Sequence, residues 1–309
     1  MREWTDPAWR AEAHAWIGER LADLGKRPVG PVEQPHVQPW STVLRVPTEG
    51  GAVWFKANEP ALRHEAALLA LLAARRPDCV AGVLAVDTGR GWILLADAGS
   101  RLREVLEEER DLRRWLDVLP LYASLQLDLA DDTDELLGLG VPDLRLSTLA
   151  DGYAHLLDRL DGLPSAERRR LRGLMPEVAE LSHALAAFGL PETLQHDDFH
   201  DGQVYVRDGR YFLLDWGDAC VSHPFFTLSV TLQGVIAWGL DDVQGSVDVA
   251  PYLEAYLQPF VRAFPAVDLV AAATTAMRLG WVCRAVNGHV EGQLEQTRAR
   301  LRMFADGRP

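Results

Sequence analysis

Between residues 195 and 218 the sequence concentrates groups able to move protons and hold a cation. They are Gln195-His196-Asp197-Asp198-Phe199-His200-Asp201-Gly202-Gln203, then Leu214-Asp215-Trp216-Gly217-Asp218. An amide stands five positions after Asp198, and a second carboxylate 17 positions after it. The stretches 204–206 and 211–214, joined by Asp208-Gly209, read as a hairpin. A hairpin brings its two ends back to one place, so the amide and both acids are expected at the same end. Phosphoryl transfer uses such a set: a base takes the acceptor hydroxyl's proton while an amide oxygen and a carboxylate hold Mg2+ against the phosphates. Asp198 is then the candidate base, Gln203 and Asp215 the candidate metal ligands, and His196 the residue whose imidazole braces the loop by bonding nearby backbone or the surroundings of Asp215.

A second constellation lies near the N-terminus. Lys56 ends an apolar strand, Val53-Trp54-Phe55, and Glu65 lies on the helix that follows. In kinases such a pair grips the α/β-phosphates of the nucleotide, with the glutamate orienting the ammonium. Lys26 and Lys56 are the only lysines in the chain, and Arg supplies every other side-chain cation. That scarcity points to a need for the compact ammonium at Lys56. No GxGxxG or Walker A pattern occurs. His196 and His200 also share the HxxxH spacing, which on a helix binds zinc; His223 would have to supply the third ligand.

The pattern His196-x-Asp198, then Gln203, then Leu214-Asp215-Trp216-Gly217 resembles the catalytic and metal loops of aminoglycoside phosphotransferases. That family has the protein-kinase-like fold, with relatives that phosphorylate choline, homoserine, fructosamine and sugars. The resemblance implies ATP or GTP as donor, Mg2+ as cofactor and a small-molecule hydroxyl as acceptor. It makes Ser41, just after the turn that stands in for a glycine-rich loop, a phosphate contact. It makes 92–97 the hinge strand, with backbone around Ala96 recognising adenine. The acceptor it implies is an aminoglycoside-like or other cationic antibiotic, with sugars or amino alcohols as alternatives. Trp238, Trp281, Asp241, Asp242 and Glu254 fall where relatives bind their acceptors. Two positions depart from the family: Asp197 replaces a usual Gly, and Gln203 replaces a usual Asn, as in related maltose and glucosamine kinases. These departures are what a nucleotide-binding pseudokinase module would show. No Ala-Pro-Glu activation segment follows Asp215, which argues against a protein substrate.

The elements that must carry these groups follow from periodicity. A helix over 6–24 opens at Asp6-Pro7, and 28–39 reads as irregular or extended. Strands are expected at 41–46, 52–57, 80–86 and 92–95, with one helix from 60 to 76. Beyond Asp97-Ala98-Gly99-Ser100 helices are expected over roughly 101–132, 147–161, 165–187, 226–240 and 250–263, and over 267–303 with interruptions. The fold class is therefore α+β: an N-terminal lobe, 1–97, of antiparallel strands and one helix that binds nucleotide, and a helical lobe, 98–309, with the catalytic loop and acceptor region. Composition agrees: 309 residues, 48% hydrophobic and 25% charged, exclude a disordered chain. Three dispersed cysteines without CxxC exclude a disulfide framework and fit a reducing cytoplasm. The net charge of -14 opposes nucleic-acid binding, and it would serve either to draw in a cationic substrate or simply to keep the chain soluble. Of the charged residues, 20 basic and 33 acidic ones lie beyond residue 100. No signal-peptide h-region follows the N-terminus, and the run 225–240 is too short and polar to span a bilayer, so no membrane partner is expected.

Overall fold

A computed structural model describes residues 2–307, which fall into two units. The first takes the chain up to Arg101 and then Val204–Gly217; the second takes Leu102–Gln203 and the chain from Asp218 onward. The sequence suggested a single cut after residue 97. The hairpin joins the first unit because Ser100 and Arg101 pair with it.

In the first unit an antiparallel sheet has the order β1-β2-β3-β5-β4. Its strands are β1 (Glu33–Val37), β2 (Ser41–Thr48), β3 (Gly51–Asn58), β4 (Val83–Asp87) and β5 (Trp92–Ala96). Alternation sends Leu44, Val46, Val53, Phe55 and Ala57 to one face. There α1 (Arg2–Thr5) and α2 (Pro7–Asp23) lay down Trp4, Ala13, Trp16, Ile17 and Leu21. Phe55, Trp16 and Trp92 meet with centroids 5.4–5.7 Å apart, and burial of each ring contributes roughly 2–3 kcal/mol. Asp6 caps α2, its Oδ1 accepting from the N–H groups of Ala8 and Trp9. The expected irregular stretch 28–39 instead contains β1. Pro35 concealed it, yet β1 is the outer strand, where a residue without an N–H is tolerated. α3 (His64–Arg75) follows a short turn of 3-10 helix at Pro60–Leu62. A smaller sheet, β6-β8-β9, joins β6 (Ser100–Arg101) to the hairpin β8 (Val204–Arg207) and β9 (Arg210–Leu213). Asp208 and Gly209 both have positive φ, the backbone a tight two-residue hairpin needs.

The second unit is mainly helical: α4 (Leu102–Glu109), α5 (Trp115–Asp128), α6 (Thr133–Gly138), α7 (Leu146–Arg159), α8 (Ser165–Gly173), α9 (Met175–Ala186), α10 (Ala250–Ala263), α11 (Leu269–Asn287) and α12 (Leu294–Asp306). A two-stranded sheet, β7 (Thr193–Gln195) with β10 (Cys220–Ser222), lies among them. Two expected long helices are broken, 101–132 and 165–187, while 267–303 has the interruption that was expected. Arg110, in the left-handed region, ends α4, and 165–187 and 267–303 each divide in two. The segment expected as one helix over 226–240 is irregular: a 3-10 turn at Pro224–Phe226, a π-helix at Ser229–Val235 and a 3-10 turn at Ile236–Trp238. Among the described residues α11 is long and apolar enough to cross a membrane by length and composition. Its Ala272, Ala276, Leu279 and Cys283 are buried within the unit and it carries Arg278 and Arg284, so it is a core helix here.

Candidate active site

The first unit places Lys56 on β3, the middle strand of its sheet, on the face opposite Phe55. Its Nζ lies 2.7 Å from Glu65 Oε2 and 2.5 Å from Asp215 Oδ1. Glu65 is fully buried, and a buried carboxylate is tolerable only when its oxygens are filled. Besides Lys56, Asn58 Nδ2 donates to it at 2.7 Å and the Trp216 N–H at 2.9 Å. Burial disfavours the ammonium, but the carboxylates of Asp215 and Glu65 outweigh it and hold the Lys56 pKa above its ordinary value. Asp215 follows β9 by two residues, has a φ of 63° and is half exposed. Asn58, Trp216 and His36 were not foreseen as parts of this cluster. His36, on β1, is held below its usual pKa first by burial and also by Lys56, against the pull of Asp215.

Ser41 opens β2 opposite Asn58, directly after the turn in which Gln38 N–H donates to Ser41 O. Ala96 ends β5, but its N–H donates to Gly82 O at 2.8 Å. That donor is committed to the first unit's own backbone, so the Ala96 N–H is not the group left for the expected adenine contact.

The second unit holds the loop 196–203. β7 leads into it, and α5 anchors the start: Gln126 Nε2 donates to Leu194 O and the Tyr122 hydroxyl accepts the His196 N–H. The Phe199 ring stacks on Tyr122 at 4.3 Å and meets Trp115 edge-on, while Thr231 Oγ1 lies 2.7 Å from Phe199 O. The loop is thus pinned on both sides of Asp198. The Asp198 N–H donates to His196 O at 2.8 Å, and Asp197 between them has a φ of 64°. This is a γ-turn, a conformation that costs a residue with a side chain about 1–2 kcal/mol. It also explains the first family departure: a glycine would sit there without strain, and the aspartate is retained by its side-chain bonds. Asn287 Nδ2 donates to its Oδ2 at 2.9 Å and Gln195 Nε2 to its Oδ1 at 3.2 Å. Burial pushes the Asp197 carboxyl up, against the pull of Arg284.

Arg284 of α11, itself buried, reaches Asp198 Oδ1 at 2.8 Å, Asp218 Oδ2 at 2.9 Å and Asp197 Oδ2 at 3.4 Å. For Asp198 burial alone would raise the pKa, but Arg284 and then His200 hold it well below the usual carboxylate range. His200 works against its own burial: Asp198 and Asp201 raise it to about 9. In its neutral form Nδ1 accepts the Gly202 N–H at 3.0 Å, and the Asp201 carboxylate lies 3.7 Å from the same nitrogen. A side chain at Gly202 would place its Cβ 2.7 Å from the His200 ring, so this position needs glycine for space. Gln203 ends the loop, half-buried, its N–H bonded to His200 O at 2.9 Å.

The family model described as the phosphotransferase enzyme family matches residues 34–270. The chain belongs to that family. A search of the curated proteins finds no match. Solved structures of phosphotransferases match at low identity, and their likeness shows the protein-kinase-like fold. The GDP and kanamycin complex of APH(2")-IIia is 12% identical with a TM-score of 0.61, covering 94% of this chain and 97% of that one. The ethanolamine kinase of Plasmodium vivax is 12% identical with a TM-score of 0.60, covering 89% and 82%. The macrolide 2'-phosphotransferase of Brachybacterium faecium is 16% identical with a TM-score of 0.56, covering 93% and 97%. This phosphotransferase therefore has the expected α+β kinase-like fold and acts on a small molecule with a hydroxyl acceptor.

Of the residues singled out by sequence, Lys56, Glu65 and Asp215 come together in the first unit. His196 and Asp198 share a loop with Gln203 in the second. The zinc reading fails locally, because 196–200 is not helical and His223 caps the 224–226 turn through Nδ1. Among the described residues the three side chains placed to share an ion are Asp197, Cys220 and Cys283, without any histidine. Trp281 and Trp238 donate their ring N–H groups to Gln233 Oε1 and O. Asp241 pairs with Arg110, while Asp242 and Glu254 are exposed. Arg284 and Asn287 were missed because they lie nearly 90 residues from the loop they hold, and His200 was singled out only for the zinc reading.

Proposed function

We propose that this phosphotransferase moves the γ-phosphate of ATP or GTP to a hydroxyl of a cationic small molecule, of the aminoglycoside-like or amino-alcohol class. The observation that carries it is the Lys56 ammonium held between buried Glu65 and half-exposed Asp215. That arrangement orients a fixed positive charge for the α/β-phosphates. Asp198, kept ionised by Arg284, accepts the acceptor's hydroxyl proton as its oxygen bonds phosphorus. Ser41 is proposed to contact a phosphate, and His196 to brace the loop through the Tyr122 bond to its N–H. Gln203 and Asp215 offer an amide and a carboxylate oxygen, the hard donors that suit Mg2+, and would hold it. When bound, Mg2+ neutralises charge on the β- and γ-phosphates. The net charge of -14 supports a cationic acceptor, and a nucleotide donor places the reaction in the cytoplasm.

The test is release of ADP or GDP with a panel of amino alcohols, aminoglycosides, macrolides and sugars, with Asp198→Asn as control. Acceptor-dependent turnover that falls about 100-fold or more in the control is expected. Nucleotide binding by thermal shift with no turnover on any hydroxyl would reduce the chain to a binding module.

A further inference from the structure

Asp198 meets a strong cation before any substrate arrives. The cation is Arg284, from α11, 86 residues further along the chain and 6% exposed at its side chain. Its guanidinium is oriented by the partners of one end: Nη1 lies 2.9 Å from Asp218 Oδ2 and 3.4 Å from Asp197 Oδ2. With Nη1 tied down, the planar group directs Nη2 to Asp198 Oδ1 at 2.8 Å. Asn287 locks the same Asp197 oxygen and also donates to Asp218 O. The other oxygen of Asp198, Oδ2, has His200 Nε2 at 3.7 Å, too far for a hydrogen bond.

We propose that Arg284 is a positioning residue that fixes the Asp198 carboxylate by Oδ1 and leaves Oδ2 for the acceptor hydroxyl, with Asp197 and Asp218 aiming the arginine. This deepens the proposed function and rests on Asp198 being the base. It assigns a use to the strained aspartate: at that γ-turn a glycine would be easier to accommodate but could not steer a guanidinium. It also sets the character of the base. A carboxylate tied to a buried guanidinium is a weak proton acceptor, so its contribution is orientation of the hydroxyl, which suits a loose phosphoryl-transfer transition state with late proton loss. The charged groups facing Asp198 are Arg284 of α11, Arg300 of α12, Asp218 ahead of β10, and His196, Asp197 and His200 of its own loop.

The experiment follows kcat, KM and their pH profiles by ADP or GDP release, using whichever acceptor of the panel turns over and water as acceptor otherwise. Arg284→Gln is expected to lower kcat about 100-fold, with both KM values within about threefold, and to move the acid limb of kcat upward. Arg284→Lys, which keeps charge but loses the fork, gives an intermediate loss. The double variant Asp197→Gly with Arg284→Gln removes the buried arginine together with a partner and relieves the γ-turn. It is the second variant to measure where the single one does not fold, and is expected to show the same shifted limb. A double variant with wild-type kcat and acid limb, or losses confined to KM, overturns the proposal. Full activity of Asp198→Asn would instead overturn the base assignment, which is a separate failure.

Discussion

Lys56 sits between one buried and one half-exposed carboxylate, and that asymmetry determines what each substitution does. Replacement by Arg puts a planar fork where a compact ammonium meets two acids within 3 Å. Lys56→Arg should fold normally yet lose about 100-fold in kcat/KM for the nucleotide, measured by ADP or GDP release. Glu65→Gln should instead act on stability, because it breaks a buried pair whose anion also accepts from Asn58 and the Trp216 N–H. A loss of about 3 kcal/mol in urea unfolding is expected. The Lys56–Glu65 pair was legible because lysine is so rare here. Asn58 and Trp216 were not: one acts through an amide seven residues from Glu65, the other through a backbone N–H that leaves no trace in residue type. Arg284 was hidden by sheer distance along the chain.

Elements were easiest to read where period and punctuation agreed, as in α2 with its Asp6-Pro7 start. They were hardest where tertiary bonds replace local ones. The π-helix at 229–235 reads as an ordinary apolar helix because its residue types are those of one. Its widened turn carries Thr231, whose hydroxyl lies near both Thr227 O and Phe199 O. π-Bulges often occur at functional positions, and this one touches the loop that carries the proposed base, Asp198. Thr231→Val keeps shape and removes the hydroxyl, so it should cost about 1–2 kcal/mol in thermal or urea unfolding and lower kcat more than KM. A stability loss with unchanged kcat would detach this helix from the loop's function. At Gly280 of α11 an added Cβ would stand 2.2 Å from Ser229 Oγ and 2.7 Å from Phe226 O, so Gly280→Ala should destabilise the unit by about 3 kcal/mol.

For the molecule as a whole, two histidines pull stability in opposite directions along the pH axis. His223 is fully buried; burial lowers its pKa to about 3, and its Nε2 has no hydrogen-bond partner among the described residues. The unfolded chain takes up that proton near pH 6.5, so stability falls as pH drops from about 6.5 toward 3, by about 1.4 kcal/mol per unit. His200, raised to about 9, contributes stability that is complete below about pH 6.5 and lost as pH rises through 9. Urea midpoints should therefore peak near pH 6.5, with His223→Asn flattening the acid side and His200→Gln the alkaline side. The net charge of -14 makes a second global statement: KM for a cationic acceptor should rise with ionic strength while KM for a neutral one stays level. The antiparallel lobe and the helical remainder were readable from strand and helix periods, but the chain's route between them was not, since strand pairing at Ser100–Arg101 decides it. That route has a consequence for biosynthesis. The first unit needs Val204–Gly217, so a ribosome that has released only the first hundred residues has delivered a sheet still missing its Asp215 anchor. Lys56 and Glu65 must wait, one partner short, until the nascent chain is two-thirds made, and a gene fragment ending at Arg101 would leave them waiting permanently.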